Sequence, residues 1–346
     1  MEQEQQKKNL SELRLDLASK DWVVIATGRA KKPEMFKKTK EDQPDVGKDK
    51  CPFCNTDPNV KASVAYLNGK KIDLEKEGPM PKEWTTISIP NKFPAFVPAE
   101  ELFEEMEGGL YQRLGAVGYH DLVITSDHDK SIALLPQESI KELIDVYQER
   151  SLQLKKMPYV GYVSIFHNHG PDAGASQPHP HSQIIGQPLV DVDLKNQLLV
   201  ASKYFQDNKK CISCEMTKWE LQVKERVIFE NEHFAAICPF ASKSAFQVVI
   251  TPKKHGPYFE DISEEQKQGL AEAFKVVLGK LYKGLNNPDY NFYLHNAPCG
   301  LDDYGFYHWH WTIMPKTSVW AGFEIGSRME ISTIEPEQAA EYLRQQ

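Results

Sequence analysis

Long apolar runs are missing from this sequence of 346 residues. No stretch approaches the roughly 18 consecutive apolar residues of a membrane-spanning helix. The polar opening MEQEQQKKNL lacks the apolar core of a secretory signal. We therefore expect a cytoplasmic protein without a membrane partner.

An excess of basic residues is missing as well. The chain has 49 acidic and 41 basic residues, a formal net charge of −8, whereas general nucleic-acid binders usually show a basic excess. We expect no nucleic-acid partner, although a local basic pocket for one phosphorylated ligand is still allowed. The composition, 40% apolar and 26% charged, is typical of a globular chain and excludes a disordered one. The length exceeds that of one ordinary hydrophobic core, which favours two domains.

Cysteine is scarce, but four of the six cysteines form two Cys-x-x-Cys pairs, CPFC at 51–54 and CISC at 211–214. In a reducing compartment such pairs are typical of metal ligands or redox-active dithiols rather than structural disulfides. Zinc suits a site of two thiolates and two imidazoles, which is structural when the protein supplies all four ligands. The positions of the histidines decide between these alternatives.

The histidines follow the two cysteine pairs in the same order. A single histidine comes first, then His-Asn, then His-x-His; the residues are Cys51, Cys54, His128, His167, His179 and His181, and then Cys211, Cys214, His255, His295, His308 and His310. Each histidine of the second set lies 127 to 129 residues after its counterpart. Chance recurrence of isolated histidines does not explain the repeated order. We predict a duplicated unit with one metal site in each copy.

The secondary-structure pattern repeats with the histidines. One helix is predicted to begin near Ser139, with Glu142 completing a capping box, and another near Ser263 with Gln266. We predict an α+β fold of two tandem units, residues 1–195 and 196–346 with the join near 195–210, each an antiparallel sheet packed with one main helix. The predicted strands are 22–26, 85–89, 121–125, 160–166 and 182–186 in the first unit and 226–230, 233–237, 245–251, 290–295 and 308–314 in the second, and a last helix is predicted over 336–344.

A stiff polar segment, NHGPDAGASQPHPHSQ, precedes the last strand of the first unit. Its glycines and serine form a loop whose backbone N–H groups can approach a phosphate, although an ordinary surface turn has a similar composition. Pro178 and Pro180 flank His179 and favour extended backbone. A neutral imidazole held here is a good nucleophile near pH 7 and forms covalent intermediates. Gln183 shares the strand face of His181 and can donate to a phosphoryl oxygen.

The same segment carries a known signature, Gly-x-Ser-x-Pro-His-Pro-His-x-Gln. Its residues here are Gly174, Ser176, Pro178, His179, Pro180, His181 and Gln183. The chain thus resembles the galactose-1-phosphate uridylyltransferase family, a branch of the histidine-triad nucleotidyltransferases. The resemblance extends from about Leu13 to the C-terminus and is supported by the segments 22–33, 51–54, 91–96, 126–128 and 321–327. It implies two tandem histidine-triad-like units, of which the N-terminal one is catalytic.

The resemblance also implies roles for individual residues. His181 would be the nucleophile that carries the nucleotide, and Gln183 would hold the non-bridging oxygens of that intermediate. The implied substrate contacts are Arg29, Lys32, Asn91, Asn168, Ser176, Gly322, Phe323 and Glu324. In the family the last three come from the other subunit of a homodimer.

Two Zn²⁺ ions per chain are implied in the same way. The first site would use Cys51, Cys54, His128 and His179, with His120 as the alternative to His128. The second cysteine pair resembles the two-zinc branch that includes plant-type ADP-glucose phosphorylases, and implies a structural site of Cys211, Cys214, His255 and His308. His310 is the counterpart of His181, but it lacks the flanking prolines and the following glutamine.

Three functions stay open from the sequence. The first is a UDP-glucose:galactose-1-phosphate uridylyltransferase that works by a ping-pong mechanism through His181, with a nucleoside-diphosphate sugar and a sugar 1-phosphate as partners. The second is an ADP- or UDP-sugar phosphorylase whose acceptor is inorganic phosphate. The third is a non-enzymatic zinc-binding recognition module, which has little use for Pro-His-Pro-His-x-Gln. The first two share every catalytic residue and differ only in acceptor and base.

Overall fold

The computed structural model describes residues 10–27, 31–38, 47–300 and 303–346. The strands β1 to β16 are Glu12–Leu15, Trp22–Ile25, Val64–Leu67, Lys70–Lys71, Thr86–Pro90, Glu104–Glu107, Tyr111–Leu114, Tyr119–Thr125, Tyr162–His169, His181–Gln187, Val227–Glu230, Phe234–Ile237, Val248–Pro252, Tyr290–His295, His310–Pro315 and Ile331–Ser332. The helices α1 to α7 are Leu74–Glu77, Gln137–Leu154, Val192–Asn208, Ile212–Val223, Glu264–Leu285, Gly322–Ser327 and Pro336–Arg344. Short 3-10 helices occupy Pro33–Phe36, Ile132–Leu134, Pro171–Ala173 and Phe259–Asp261. No helix in these ranges is long and apolar enough to cross a membrane.

One antiparallel sheet of eleven strands runs through both halves of the chain. Its order is β11-β12-β13-β15-β14-β9-β10-β8-β5-β3-β4. The halves meet where β14 pairs with β9, with Asn291 opposite Asn168 and Phe292 opposite His167. A separate small sheet pairs β1, β2 and β16, so the C-terminal segment lies beside the N-terminal strands.

Both long helices, α2 and α5, cover the same face of this sheet. Side chains alternate along each strand, and Ile184 of β10 and Trp311 of β15 point into the core beneath the helices, where both are fully buried. His181 and Gln183 alternate with Ser182 and Ile184, so they point to the opposite face. We refer to this opposite face, which the main helices leave uncovered, as the open face.

The predicted α+β class with antiparallel strands is confirmed. All ten predicted strands are present, as β2, β5 and β8 to β15, and the predicted last helix is α7. The structure adds the short strands β1, β3, β4, β6, β7 and β16, which the sequence analysis did not predict. The expected join near residues 195–210 lies in α3 and the residues just after it, and strands of both halves belong to one sheet.

The beginning of α2 differs from the prediction. Ser139 lies inside the helix, which begins at Gln137 after Pro136, and no side chain caps its first turn. A proline fixes its own φ angle and cannot donate a backbone hydrogen bond, so it suits a helix start and displaces the boundary from Ser139. The predicted capping box of α5 is confirmed: the Ser263 hydroxyl accepts from Gln266 N, and the Gln266 side chain accepts from Ser263 N.

The two serines therefore allow a direct comparison. We expect Ser263→Ala to lower the free energy of unfolding by about 1 kcal/mol, because the first turn of α5 loses its cap. Ser139→Ala should leave it unchanged within about 0.5 kcal/mol, since alanine is a good helix former inside a helix. Urea unfolding of both variants measures the difference. Equal losses would mean that Ser139 caps α2 after all.

Candidate active site and metal clusters

Two thiols and two imidazoles of the N-terminal half converge at one point. The ligand atoms of Cys51, Cys54, His128 and His179 all lie within 4.8 Å of one another. His179 Nδ1 lies 3.4 Å from Cys51 Sγ and 3.2 Å from His128 Nδ1, and Cys54 Sγ lies 3.2 Å from His128 Nδ1. Zinc–ligand distances of about 2.0–2.3 Å in a tetrahedral site place such N and S atoms roughly 3–4 Å apart. The group therefore fits a single tetrahedral metal ion.

The backbone sets the nitrogen that His179 offers to this cluster. Its Nε2 donates to the carbonyl oxygen of Thr125 at 2.8 Å, so the Nδ1 lone pair is directed at the metal position. His128, which follows β8, belongs to the cluster, whereas His120 near the start of β8 does not. The alternative of His120 as a ligand is therefore wrong.

The C-terminal half repeats this arrangement. Cys211, Cys214, His255 and His308 lie within the same 4.8 Å limit, with His255 Nδ1 3.2 Å from His308 Nδ1. His308 Nε2 donates to the Pro252 carbonyl at 2.9 Å, as His179 does to Thr125. The chain thus contains two Cys₂His₂ groups that can each bind a metal ion.

His181 begins β10 and faces the open side of the sheet. Its Nδ1 donates to the carbonyl oxygen of His179 at 3.0 Å, which fixes the ring and leaves the lone pair on Nε2. Burial lowers the pKa of His181 below the usual value for histidine, so its ring is neutral near pH 7. Phe53, between the two cysteines of the first cluster, packs against the His181 ring at 4.9 Å between centroids. The ring is therefore held between the metal cluster and its own backbone, with one nitrogen available to a ligand.

Gln183 follows on the same face and contacts His120, which Asn91 contacts as well. Its Oε1 lies 2.8 Å from Nε2 of His120, which is buried on β8. Asn91, just after β5, lies 3.2 Å from the same His120 nitrogen through its Nδ2. The structure thus brings Asn91, a predicted substrate contact, close to Gln183, with His120 between them.

Asn168 and the glycine-rich loop come next to this strand. Asn168 lies near the end of β9, and the loop turns through Gly170 and Gly174 at φ of 82° and 84°, values that favour glycine. A Cβ atom at Gly170 would also collide with the carboxylate of Asp289. Ser176 is exposed in the segment between this turn and β10.

Two charged residues that the sequence analysis missed support this loop. Asp289 accepts from the Asp172 backbone N–H at 2.8 Å through one oxygen, and pairs with Lys38 at 2.5 Å through the other. The two residues are about 250 positions apart in the sequence and meet only in the fold. No sequence motif therefore indicates their pairing.

The remaining predicted contacts lie elsewhere or outside the described residues. Arg29 falls in the segment 28–30, which the structure does not describe. Lys32 is exposed before the helix Pro33–Phe36, and the backbone N–H of its neighbour Lys31 donates to the Thr333 carbonyl. Gly322, Phe323 and Glu324 lie in the exposed helix α6, where Glu324 accepts from the Ala321 backbone N–H.

His310 repeats part of the His181 arrangement. Its Nδ1 lies 3.3 Å from the His308 carbonyl, and its ring faces a cavity of about 510 Å³. Burial lowers its pKa to about 4. Thr312 occupies the position that corresponds to Gln183, and the ring of His295 stacks on His310 at 4.4 Å between centroids.

The alignment of His167 with His295 is wrong by one residue. Ser182 lies opposite His167, whereas its counterpart Trp311 lies opposite Leu294. His167 therefore points to the core, and His295 points to the open face, where it corresponds in space to Asn168. The two halves share the His-x-His geometry but differ in the groups around it.

The second cluster can be tested by metal content. We expect Cys211→Ser to reduce the bound metal from two ions per chain to one, since the closed four-ligand site loses one of its two thiolates, and to lower the melting temperature. Cys299→Ser is the control, because Cys299 is a free, partly buried cysteine outside both clusters. Mass spectrometry of the native protein counts the ions. A Cys211→Ser chain that keeps two ions would show that this group does not hold metal.

Comparisons with known proteins agree with this geometry. The model of the galactose-1-phosphate uridyl transferase N-terminal domain matches residues 1–191, and that of the C-terminal domain matches residues 198–345. The chain is 30% identical to ADP-glucose phosphorylase of Arabidopsis thaliana, over 96% of this chain and 92% of the relative. It is 27% identical to galactose-1-phosphate uridylyltransferase of Thermotoga maritima, over 97% and 98%.

Solved structures extend the likeness to three dimensions. The Arabidopsis ADP-glucose phosphorylase with bound ADP-glucose superposes with a TM-score of 0.77 at 26% identity, covering 97% of this chain and 99% of the other. A galactose-1-phosphate uridylyltransferase-like protein of Arabidopsis gives the same TM-score at 28% identity, covering 97% and 98%. The chain belongs to the galactose-1-phosphate uridylyltransferase family.

Proposed function

We propose that this protein is a nucleotidyltransferase of the UDP-glucose:galactose-1-phosphate uridylyltransferase type. It acts on a nucleoside-diphosphate sugar and a sugar 1-phosphate by a ping-pong mechanism through nucleotidyl-His181. The observation that carries the proposal is the His181 ring, which is neutral, anchored through Nδ1 to the His179 carbonyl, and has Nε2 available on the open face. The named relatives support the same reaction class.

In the first half-reaction, His181 Nε2 attacks the α-phosphorus of the nucleoside-diphosphate sugar. A P–N bond forms, the P–O bond to the β-phosphate breaks, and the sugar 1-phosphate leaves with its electron pair. In the second half-reaction an acceptor phosphate oxygen attacks the same phosphorus and the P–N bond breaks. Little proton transfer is needed, because the leaving group and the acceptor are both phosphate anions.

Rate acceleration then comes from positioning and from charge stabilisation around the phosphorus. Gln183, Asn168 and Ser176 supply side-chain donors, and the glycine-rich loop over 170–175 supplies backbone N–H groups. Asn91 is proposed as a nucleoside contact, and Arg29 and Lys32 as the basic pair near the phosphates. The N-terminal half, residues 1–195, thus carries the chemistry, and residues 196–346 form the supporting half.

Zinc is proposed for both Cys₂His₂ groups. The mixed thiolate and imidazole ligands and the tetrahedral spacing suit Zn²⁺, and all four positions are filled by protein in each case. When bound, the ion cross-links segments that are distant in the sequence. At the first group Cys51, Cys54 and His128 hold His179, whose carbonyl orients the nucleophile. The free cysteines and metal-type ligands fit a reducing compartment, and we place the protein in the cytoplasm.

A homodimer is proposed from the surface around α6. Val319, Trp320, Phe323 and Ile325 are large apolar side chains with exposed fractions of 91%, 49%, 52% and 68%. Contiguous exposed apolar groups of this kind are typical of interaction sites. We infer that this segment covers the sugar site of the partner subunit, where Gly322, Phe323 and Glu324 contact the sugar.

A second candidate is an ADP- or UDP-sugar phosphorylase that uses inorganic phosphate as acceptor. The match to ADP-glucose phosphorylase, at 30% identity over 96% of the chain, favours it. It requires the same first half-reaction at His181. A non-enzymatic zinc module is disfavoured, because it would not require a neutral, oriented His181 beside Gln183.

One substrate panel tests the reaction and separates the two candidates. UDP-glucose and ADP-glucose are each incubated with galactose 1-phosphate or with inorganic phosphate, and the products are separated by chromatography. A uridylyltransferase converts UDP-glucose and galactose 1-phosphate to UDP-galactose and glucose 1-phosphate. A phosphorylase releases nucleoside diphosphate only with inorganic phosphate. Product in none of the four mixtures would contradict both candidates.

His181→Ala should abolish turnover of the active pair, because no other imidazole in the described chain has this anchored geometry beside Gln183. The matched control is His310→Ala, the corresponding change in the other half, which should keep turnover. Both variants should retain two metal ions per chain. Turnover by His181→Ala at the wild-type rate would exclude a nucleophilic role.

A further inference from the structure

Two amide side chains on the open face, Gln183 and Asn168, can each present an oxygen or an NH₂ group to a ligand. A phosphoryl oxygen accepts hydrogen bonds, so only the NH₂ end stabilises it. The orientation of such an amide is determined by the network of hydrogen bonds around it. The fold therefore has to hold each amide with its oxygen turned away from the ligand.

At Gln183 this orientation follows from a backbone donor. The Ala95 N–H donates to His120 Nδ1 at 3.1 Å, so the proton of the neutral ring is on Nε2. That Nε2–H lies 2.8 Å from Gln183 Oε1 and donates to it. Asn91 cannot take the place of Gln183 as the acceptor of this hydrogen bond. The Phe93 N–H donates to Asn91 Oδ1, so the atom that lies 3.2 Å from His120 Nε2 is the donor Nδ2. The NH₂ group of Gln183 is left for a ligand.

At Asn168 the orientation follows from a backbone acceptor. Asn291 approaches the carbonyl oxygen of Ala173 at 2.9 Å, and a carbonyl can only accept, so the atom that faces it is Nδ2. The same Nδ2 donates to Asn168 Oδ1 at 2.8 Å. Asn291 belongs to β14, in the other half of the chain, and lies opposite Asn168 where the two halves join. The NH₂ group of Asn168 is again left for a ligand.

We propose that His120 and Asn291 are positioning residues, which turn the NH₂ groups of Gln183 and Asn168 toward the phosphoryl oxygens of the nucleotide. The inference rests on the proposed function. We call each chain of hydrogen bonds a relay: one runs from Ala95 N–H through His120 to Gln183, and the other from Ala173 C=O through Asn291 to Asn168. Because each relay ends on a backbone group, the fold itself fixes the orientation of both amides. Reversal of one amide would place an oxygen against the anion and remove a donor, a loss that typically slows a reaction by about 10²–10³-fold.

Asn291→Asp tests the relay at Asn168 with almost no change in shape. The carboxylate cannot donate to the Ala173 carbonyl or to Asn168 Oδ1, so the Asn168 amide should turn its NH₂ group away from the ligand. We expect transfer of the labelled α-phosphate from UDP-glucose or ADP-glucose to the protein to slow by at least about tenfold in a single turnover. Asn287→Asp is the control, because the Asn287 oxygen accepts from His169 Nε2 and the carboxylate keeps that contact.

The relay at Gln183 is tested by a double-mutant cycle. His120→Leu and Gln183→Ala are made singly and together, and the rate of label transfer is measured. If His120 acts through Gln183, the double variant should be within about threefold of Gln183→Ala alone, because coupled residues are not additive. His120→Gln, whose amide N–H can replace Nε2–H, should be faster than His120→Leu.

The outcomes separate the two proposals. Wild-type protein that takes label from neither sugar nucleotide contradicts the proposed function, and this inference with it. Wild-type labelling combined with full additivity of His120→Leu and Gln183→Ala, or with equal rates for Asn291→Asp and Asn287→Asp, overturns the positioning roles only. Variants are compared only when metal content and melting temperature match the wild type. If His120→Leu does not fold, His120→Gln and Asn291→Asp carry the test.

Discussion

His179 is the residue that connects the first Cys₂His₂ group, the sheet and His181, the proposed nucleophile. Its Nδ1 lies among the ligands of the first cluster, its Nε2 donates to the Thr125 carbonyl at the end of β8, and its own carbonyl accepts from His181. Each contact constrains something different. The cluster constrains the position of the His179 ring, the Thr125 carbonyl determines its tautomer, and the His179 carbonyl orients the His181 ring. A metal ion bound by Cys51, Cys54, His128 and His179 would therefore affect the proposed chemistry indirectly, because it would hold the backbone that orients His181.

The continuous sheet allows the second half to contribute to the proposed site, although its own His-x-His is differently surrounded. Residues of β14 and its preceding turn support the glycine-rich loop: Asn291 donates to Asn168, and Asp289 accepts from the Asp172 backbone and pairs with Lys38. In the C-terminal half, Thr312 stands where Gln183 would be, and His295 stacks on His310. The duplication thus preserves both Cys₂His₂ groups, while the two amide donors beside His181, Gln183 and Asn168, are replaced beside His310 by Thr312 and His295.

Much of this arrangement was predictable from the sequence. The repeated order of cysteines and histidines, together with the family signature, indicated both Cys₂His₂ groups, and short strand-like runs indicated ten strands. Ser139 shows the limit of such signals, since Pro136 determines the helix start and a serine three residues later is compatible with a helix interior. His120, Asn291, Asp289 and Lys38 could not be found in this way. Their partners are distant in the chain. The pairing of β10 with β8 brings His120 to Gln183, and that of β9 with β14 brings Asn291 to Asn168; both pairings are properties of the tertiary fold.

The central claim is that the nucleotide is bonded to one particular nitrogen between the two half-reactions. The most direct measurement is peptide mapping by mass spectrometry after wild-type protein is mixed with UDP-glucose or ADP-glucose without acceptor and quenched in alkali, where phosphoramidates of histidine persist. The account predicts one nucleoside monophosphate per chain, on the peptide that contains His181, and its disappearance when acceptor is added before the quench. A nucleotide on another residue, or full turnover with no modified peptide at any time, would contradict it.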